Sequence, residues 1–343
     1  VGRLFADNFE RWTVEINKRL WNPFRPLMFW DPTLDDGNAR SELWDAAASL
    51  LEKYRTTHTE AEMAADTGIL AQLCRTPYGS EGDRIADTLT QLFAGQDTTG
   101  NALAWVLIEL ARHPYTMSEL RAALEAENPG GRRCWTPEML ARVGYLDNVV
   151  QETLRLWPAA PIALVRHADR DVPLSNGMVI PQGSDVMMPA FLQHRVGIRN
   201  PDEWLPERWS GDQLPQLRKN QRPFGAGKRI CVGKNLANLE LSFATACLVQ
   251  HFHLVLVSEP TPEHYITLKP KGGLLRFVPW SGEDEEHPHA PDWTGPYTFG
   301  SGSPTRAKIP WLQFPNINSP AGGNSPLHSQ RGSGSGRMLR PNS

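Results

Sequence analysis

Cys231 is the residue of this chain whose surroundings are best suited to chemistry. It lies in Phe224-Gly225-Ala226-Gly227-Lys228-Arg229-Ile230-Cys231-Val232-Gly233, a glycine-rich, basic loop just ahead of a stretch with helical periodicity. The partial positive charge of a helix N-terminus and the full charges of Lys228 and Arg229 all favour a thiolate over a thiol there. A soft anionic sulfur suits a transition metal. Gly225, Gly227 and Gly233 let backbone N–H groups turn toward the sulfur and let a flat, bulky group approach without meeting a Cβ. The bland alternative is a glycine-rich turn around an inert cysteine.

Ala94-Gly95-Gln96-Asp97-Thr98-Thr99 is a second segment with chemical content, because it interrupts a long helical pattern with residues that helices disfavour. A helix-interior glycine costs about 1 kcal/mol relative to alanine, and Asp and Thr compete with the backbone for hydrogen bonds. Two readings stand open on the residues alone. In one, Ala94 and Gly95 leave room for a flat group, Thr98 bonds the carbonyl four residues back, and Asp97 with Thr98 relays protons. In the other, Gly95 ends one helix and Asp97 caps the next. A third pair, Glu152 and Arg155, is spaced to share one helix face, which by itself describes an ordinary surface contact. His113, His167 and His194 lack ligand spacing and read as loop or helix-end residues.

The loop pattern F-x-x-G-x-R-x-C-x-G resembles the haem-thiolate signature of the cytochrome P-450 monooxygenases. The 94–99 segment matches that family's [AG]-G-x-[DE]-T-[TS] at every position, and Glu152-Thr153-Leu154-Arg155 and Pro206-Glu207-Arg208-Trp209 match its E-x-x-R and P-E-R-[FW] elements. The resemblance implies that Cys231 is the axial ligand of haem b, with Phe224, Gly225, Ala94 and Gly95 lining the cofactor. It implies that Arg166 and Arg229 hold the haem carboxylates, as arginine forks do. It makes Asp97 and Thr98 the acid–alcohol pair that assists O–O cleavage, and Glu152, Arg155 and Arg208 a buried structural triad. The implied activity is insertion of one oxygen atom from O₂ into a lipophilic substrate. Electrons would come from an NAD(P)H-dependent reductase docking where Arg218, Lys219, Arg222, Lys228 and Lys234 gather. The alternatives are a haem-thiolate peroxide isomerase or dehydratase, and a non-catalytic truncated fragment. Val196-Gly197-Ile198-Arg199 departs from the family pattern.

These residues need elements to hold them. Periodicity and stop signals predict helices over Arg40–Tyr54, Glu62–Cys74, Asp83–Arg112, Pro114–Glu127, Tyr145–Leu156 and Val232–Phe252, with a rough helical stripe over Ala6–Leu20. Thr136-Pro137 opens a further short helix. Ile162–Arg166 and Met178–Met188 read as strands, Asn200–Pro223 as irregular, and His253–Val257 with Leu274–Val278 as a terminal β unit. The fold class expected is mostly α (α+β): a long distal helix and a proximal cysteine-loop helix around haem, with small β elements and the N-terminal portion of the fold missing. Residues 1–280 form the domain.

Residues 281–343 hold 9 Pro and 9 Gly, which gives the expectation of a disordered tail. A net charge of −3 provides no global field for nucleic acid. Four cysteines without C-x-x-C spacing speak against zinc and against a disulfide framework, and fit a reducing compartment. No run of 18 apolar residues and no signal-peptide pattern is present. The chain opens in mid-pattern without Met, so it reads as a fragment. The family resemblance implies that its full-length form sits on the cytosolic face of the endoplasmic reticulum membrane.

Overall fold

Residues 8–9, 11–15, 36–162 and 164–280 are described by a computed structural model, and the expected tail over 281–343 lies outside them. Residues 8–9 and 11–15 are helical, while the rest of the Ala6–Leu20 stripe falls outside the described residues. Helices α1 (Asp36–Thr57), α2 (Glu60–Ala65) and α3 (Ile69–Arg75) lead into α4 (Glu81–Arg112). The single helix expected over Glu62–Cys74 is thus two. Asp66 accepts a hydrogen bond from Gly68 N at 2.6 Å, and this local turn takes the backbone out of the helix. Thr59 and Glu62 close α2 at its start with a reciprocal capping box.

The spine is α4, with 32 residues and a length of about 48 Å. Ser80 caps it by accepting from Asp83 N at 3.1 Å, and His113-Pro114 ends it. Its C-terminal half buries Ala102, Trp105, Val106, Leu107, Ile108 and Leu110, and that burial offsets Gly82, Gly95 and Gly100 upstream. Packed around it are α5 (Pro114–Glu127), α6 (Pro137–Arg142), α7 (Gly144–Leu156) and α10 (Lys234–His251), which share one core with Met117, Leu124, Leu146, Val149, Ala246 and Val249. Trp105 stacks on Trp157 with ring centroids 4.1 Å apart and planes 9° apart.

The β elements are small and antiparallel. Strand β1 (Leu164–His167) pairs with β4 (Asp185–Met188), and β2 (Val172–Pro173) with β3 (Val179–Ile180). Met178–Met188 therefore holds two strands rather than one. Pro181 lacks an N–H, and Gly183 turns back at φ +84° to donate to Ala168 O at 2.8 Å. Strand β5 (Phe252–Ser258) pairs with β8 (Leu274–Pro279) as expected, but the intervening β6 (Thr261–His264) and β7 (Leu268–Lys271) form a second hairpin. The stretch expected to be irregular, Asn200–Pro223, contains α9 (Leu214–Asn220) and a 3-10 turn at Pro206–Trp209. A four-residue helix, α8 (Ala190–Gln193), precedes it. Trp105 Nε1 donates to Leu268 O at 3.1 Å, which fixes β7 against α4.

Candidate functional site

The cysteine loop is closed by its own backbone. Cys231 N donates to Phe224 O at 2.9 Å, Gly225 N to Arg222 O at 3.0 Å and Ile230 N to Gly227 O at 3.2 Å. Gly225 and Gly227 adopt φ of +73° and +69°, a region that a side chain at either position would strain. Cys231 is exposed, two residues before Gly233 and the first turn of α10. Phe224 packs on a cluster built from Ala102 of α4, Val150 and Leu154 of α7 and Leu241 of α10. The loop is thereby seated on the helices that must frame any group bound to the sulfur.

On α4, Ala94 and Gly95 are exposed, and a Cβ added at Gly95 would meet nothing within 4 Å. The helix runs unbroken through this point, so the reading in which Gly95 ends a helix and Asp97 caps another is overturned. Thr98 Oγ1 donates to Ala94 O at 2.6 Å. The Asp97 carboxylate turns away from local backbone: Lys269 Nζ stands 3.0 Å from Oδ1, and Thr267 Oγ1 donates to Oδ2. Asn101 Nδ2 donates to Asp97 O at 2.7 Å. Lys269 and Thr267 escape a reading of spacing because they lie some 170 residues downstream and reach Asp97 only through the β7–α4 contact. An exposed sulfur in an open glycine loop and a helix stretch with free space at Gly95 fit a flat metal-bearing group such as haem.

Glu152, Arg155 and Arg208 meet in the interior with relative exposures of 0%, 0% and 4%. Arg155 donates to both Glu152 oxygens at 2.9 Å, and Arg208 Nε donates to Glu152 Oε1 at 2.8 Å. Leu205 N and Trp209 Nε1 complete the carboxylate's bonding, each at 2.9 Å. The arginines' remaining donors reach Pro201 O, Glu203 O, Asn200 O and Arg199 O, so the segment that departs from the family pattern still supplies an acceptor to Arg208.

His194 joins this network to the cysteine loop. Its Nδ1 donates to Arg155 O at 3.2 Å, and its Nε2 accepts from Arg222 N at 2.9 Å, an arrangement that requires the neutral ring. Nothing in the spacing marks His194 for this role. Burial, partly opposed by the hydrogen bond to Arg155 O, pushes its pKa down from 6.5 to about 4. The unfolded chain then binds the extra proton first, so stability is intact above pH 6.5 and falls as the pH drops toward about 4. The loss over that interval is about 3 kcal/mol. Denaturant midpoints at pH 7 and pH 5 should separate for the parent and converge for His194→Asn. Equal acid sensitivity in both would remove His194 as the cause.

Arg166 and Arg229 are exposed, and neither makes an ion pair among the described residues. Arg166 Nη1 donates to its neighbour's carbonyl, Val165 O, at 2.8 Å. Arg218, Lys219, Lys228 and Lys234 are exposed around the loop and α9, with Arg222 half-buried between them. Among the described residues no helix is long and apolar enough to cross a membrane.

Comparison with known proteins places this geometry. The family model described as Cytochrome P-450 matches residues 5–277. Cytochrome P-450 78A1 of Zea mays is 37% identical over 185 residues, which cover 51% of this chain and 34% of that protein. The mitochondrial 25-hydroxyvitamin D-1 alpha hydroxylase of Rattus norvegicus is 38% identical over 174 residues, covering 50% and 34%. A monooxygenase of Cordyceps militaris, cytochrome P-450 milC, is 36% identical over 217 residues, covering 59% and 40%. The chain thus spans little more than a third of these relatives. A crystal structure of a cytochrome P-450 superposes with a TM-score of 0.63 at 25% identity, covering 71% of this chain and 56% of that one. With a matched model over most of its length, the same fold in a solved relative, and an exposed cysteine loop seated on α4, α7 and α10 through Phe224, this chain belongs to the cytochrome P-450 family.

Proposed function

We propose that the protein of which this chain carries the thiolate loop is a haem-thiolate monooxygenase acting on a lipophilic substrate. The observation that carries the reading is the exposed Cys231 at the mouth of its left-handed glycine loop, together with the open stretch at Gly95 on α4. Cys231 Sγ would hold the iron of haem b, while Arg166 and Arg229, both free of acidic partners among the described residues, would hold its carboxylates. Bound there, haem supplies the reductive activation of O₂ from which one oxygen atom enters the substrate. Thr98 and Asp97 supply protons to that face. Thr98 Oγ1 is already oriented by its bond to Ala94 O, and Lys269 and Thr267 keep the Asp97 carboxylate in place beside it. The basic surface around Lys228 and Lys234 suits the acidic face of an NAD(P)H-dependent reductase. For the whole protein we propose a position at the cytosolic face of the endoplasmic reticulum membrane.

The test is coupling. Thr98→Ala in the haem-loaded, full-length form should retain haem but divert reducing equivalents from product to peroxide, because the ordered proton donor is gone. Product formed per NAD(P)H consumed should fall several-fold. Equal coupling in variant and parent would leave Thr98 as a helix back-bond with no part in proton delivery.

A further inference from the structure

Two cysteines outside the site described above flank, along the chain, one contact between the α5–α6 loop and α10. Gln250 Nε2 of α10 donates to Asn128 O at 2.6 Å. The Asn128 side chain in turn holds Arg133, accepting from Arg133 N at 3.2 Å and donating to Arg133 O at 2.9 Å. Gly131 lies so close to α10 that a Cβ there would fall 2.6 Å from the His251 ring. Cys134 follows three residues later, and the next residue, Trp135, enters the same core cluster against which Cys247 packs. Cys247 precedes Gln250 and His251 by three and four positions, which puts it on the α10 face that meets this loop. Cys134 is exposed and Cys247 half-buried. Burial raises the Cys247 thiol above its ordinary pKa, and the charge of Cys134 raises it further.

The geometry points to a modification site: Cys134 and Cys247 form a reversible intramolecular disulfide under hydrogen peroxide, fastening the α5–α6 loop to the helix that carries the Cys231 loop. The exposed Cys134, as thiolate, attacks one peroxide oxygen. The O–O bond breaks, hydroxide leaves and is protonated to water, and Cys134 becomes a sulfenic acid. The Cys247 sulfur then displaces the sulfenic hydroxyl, forming the S–S bond and a second water. Two thiols lose two electrons and two protons, and one peroxide becomes two waters. A reducing dithiol reverses the step. Neither Cys231 nor a bound cofactor takes part.

The experiment treats the full chain with hydrogen peroxide, alkylates the remaining thiols, and maps peptides by mass. The expected result is a monomeric chain containing one peptide pair joined through Cys134 and Cys247. Dithiothreitol should release it, and Cys134→Ser, an exposed loop change, should lack it with Cys247 fully alkylated. Cys134 recovered as sulfinic acid or in chain-to-chain links, with Cys247 still alkylated in the parent, would overturn the assignment.

Discussion

Cys231→Ser should abolish the red-shifted ferrous–CO absorption that marks thiolate ligation in the haem-reconstituted protein. The effect is expected to be complete, because the loop presents a single sulfur. Cys231 is exposed and lies just ahead of the α10 N-terminus, on a backbone closed by the Cys231 N to Phe224 O bond, which serine would keep. The substitution therefore removes the sulfur proposed as ligand and leaves the loop. A serine hydroxyl is a hard, weakly acidic ligand at neutral pH and does not replace a soft thiolate on iron. Cys74 lies on α3, Cys134 in the α5–α6 loop and Cys247 three turns or more into α10, so serine at each of these should leave the band unchanged. A thiolate-type band surviving in Cys231→Ser would transfer the ligand to another residue and remove the basis of the functional reading.

The second large effect concerns stability. Arg155→Ala should cost about 3–5 kcal/mol, the range for breaking a buried ion pair. Arg155 is fully buried and makes four hydrogen bonds, two to Glu152 and one each to Pro201 O and Glu203 O. Alanine leaves a cavity the size of a guanidinium and its stem, and Pro201 O loses its donor. Glu152→Ala should be at least as severe, since it strands two arginines with no carboxylate between them. Burial already pulls the Arg208 guanidinium below its ordinary pKa, and the adjacent Arg155 charge pulls the same way. Against a typical stability of about 5–15 kcal/mol, such a loss is enough to prevent haem incorporation. Denaturant unfolding of the parent and both variants measures it. Midpoints within error of the parent would show that the network is not what holds the loop Arg199–Trp209 under α7.

How much of this could be read without coordinates follows from the range of each interaction. Local geometry is encoded locally. Thr136 announces the cap of α6, the i to i−4 bond from Thr98 to Ala94 follows from helix geometry, and Glu152 with Arg155 share a face because they are three apart. The left-handed turns at Gly225 and Gly227 are likewise written in the residue type. Family motifs added Arg208, which lies 56 residues from its carboxylate and which no periodicity connects to it.

The remainder needed the packed molecule. The split of Glu62–Cys74 depends on one Asp66 side chain choosing Gly68 N over a continuing helix. The hairpin β6–β7 depends on pairing across a turn that carries no Asn-Gly signal. His194 acquires its function only because α7 and the cysteine loop converge on its two ring nitrogens. Lys269 and Thr267 reach Asp97 only because Trp105 anchors Leu268 to α4. The sequence by itself determined the backbone shapes of the cysteine loop and of the stretch 94–99, since those are set by residue type within a turn or two. The tertiary structure decided which distant charges and hydrogen-bonding groups hold them, because such partners are chosen by how helices and hairpins pack and spacing along the chain does not record it.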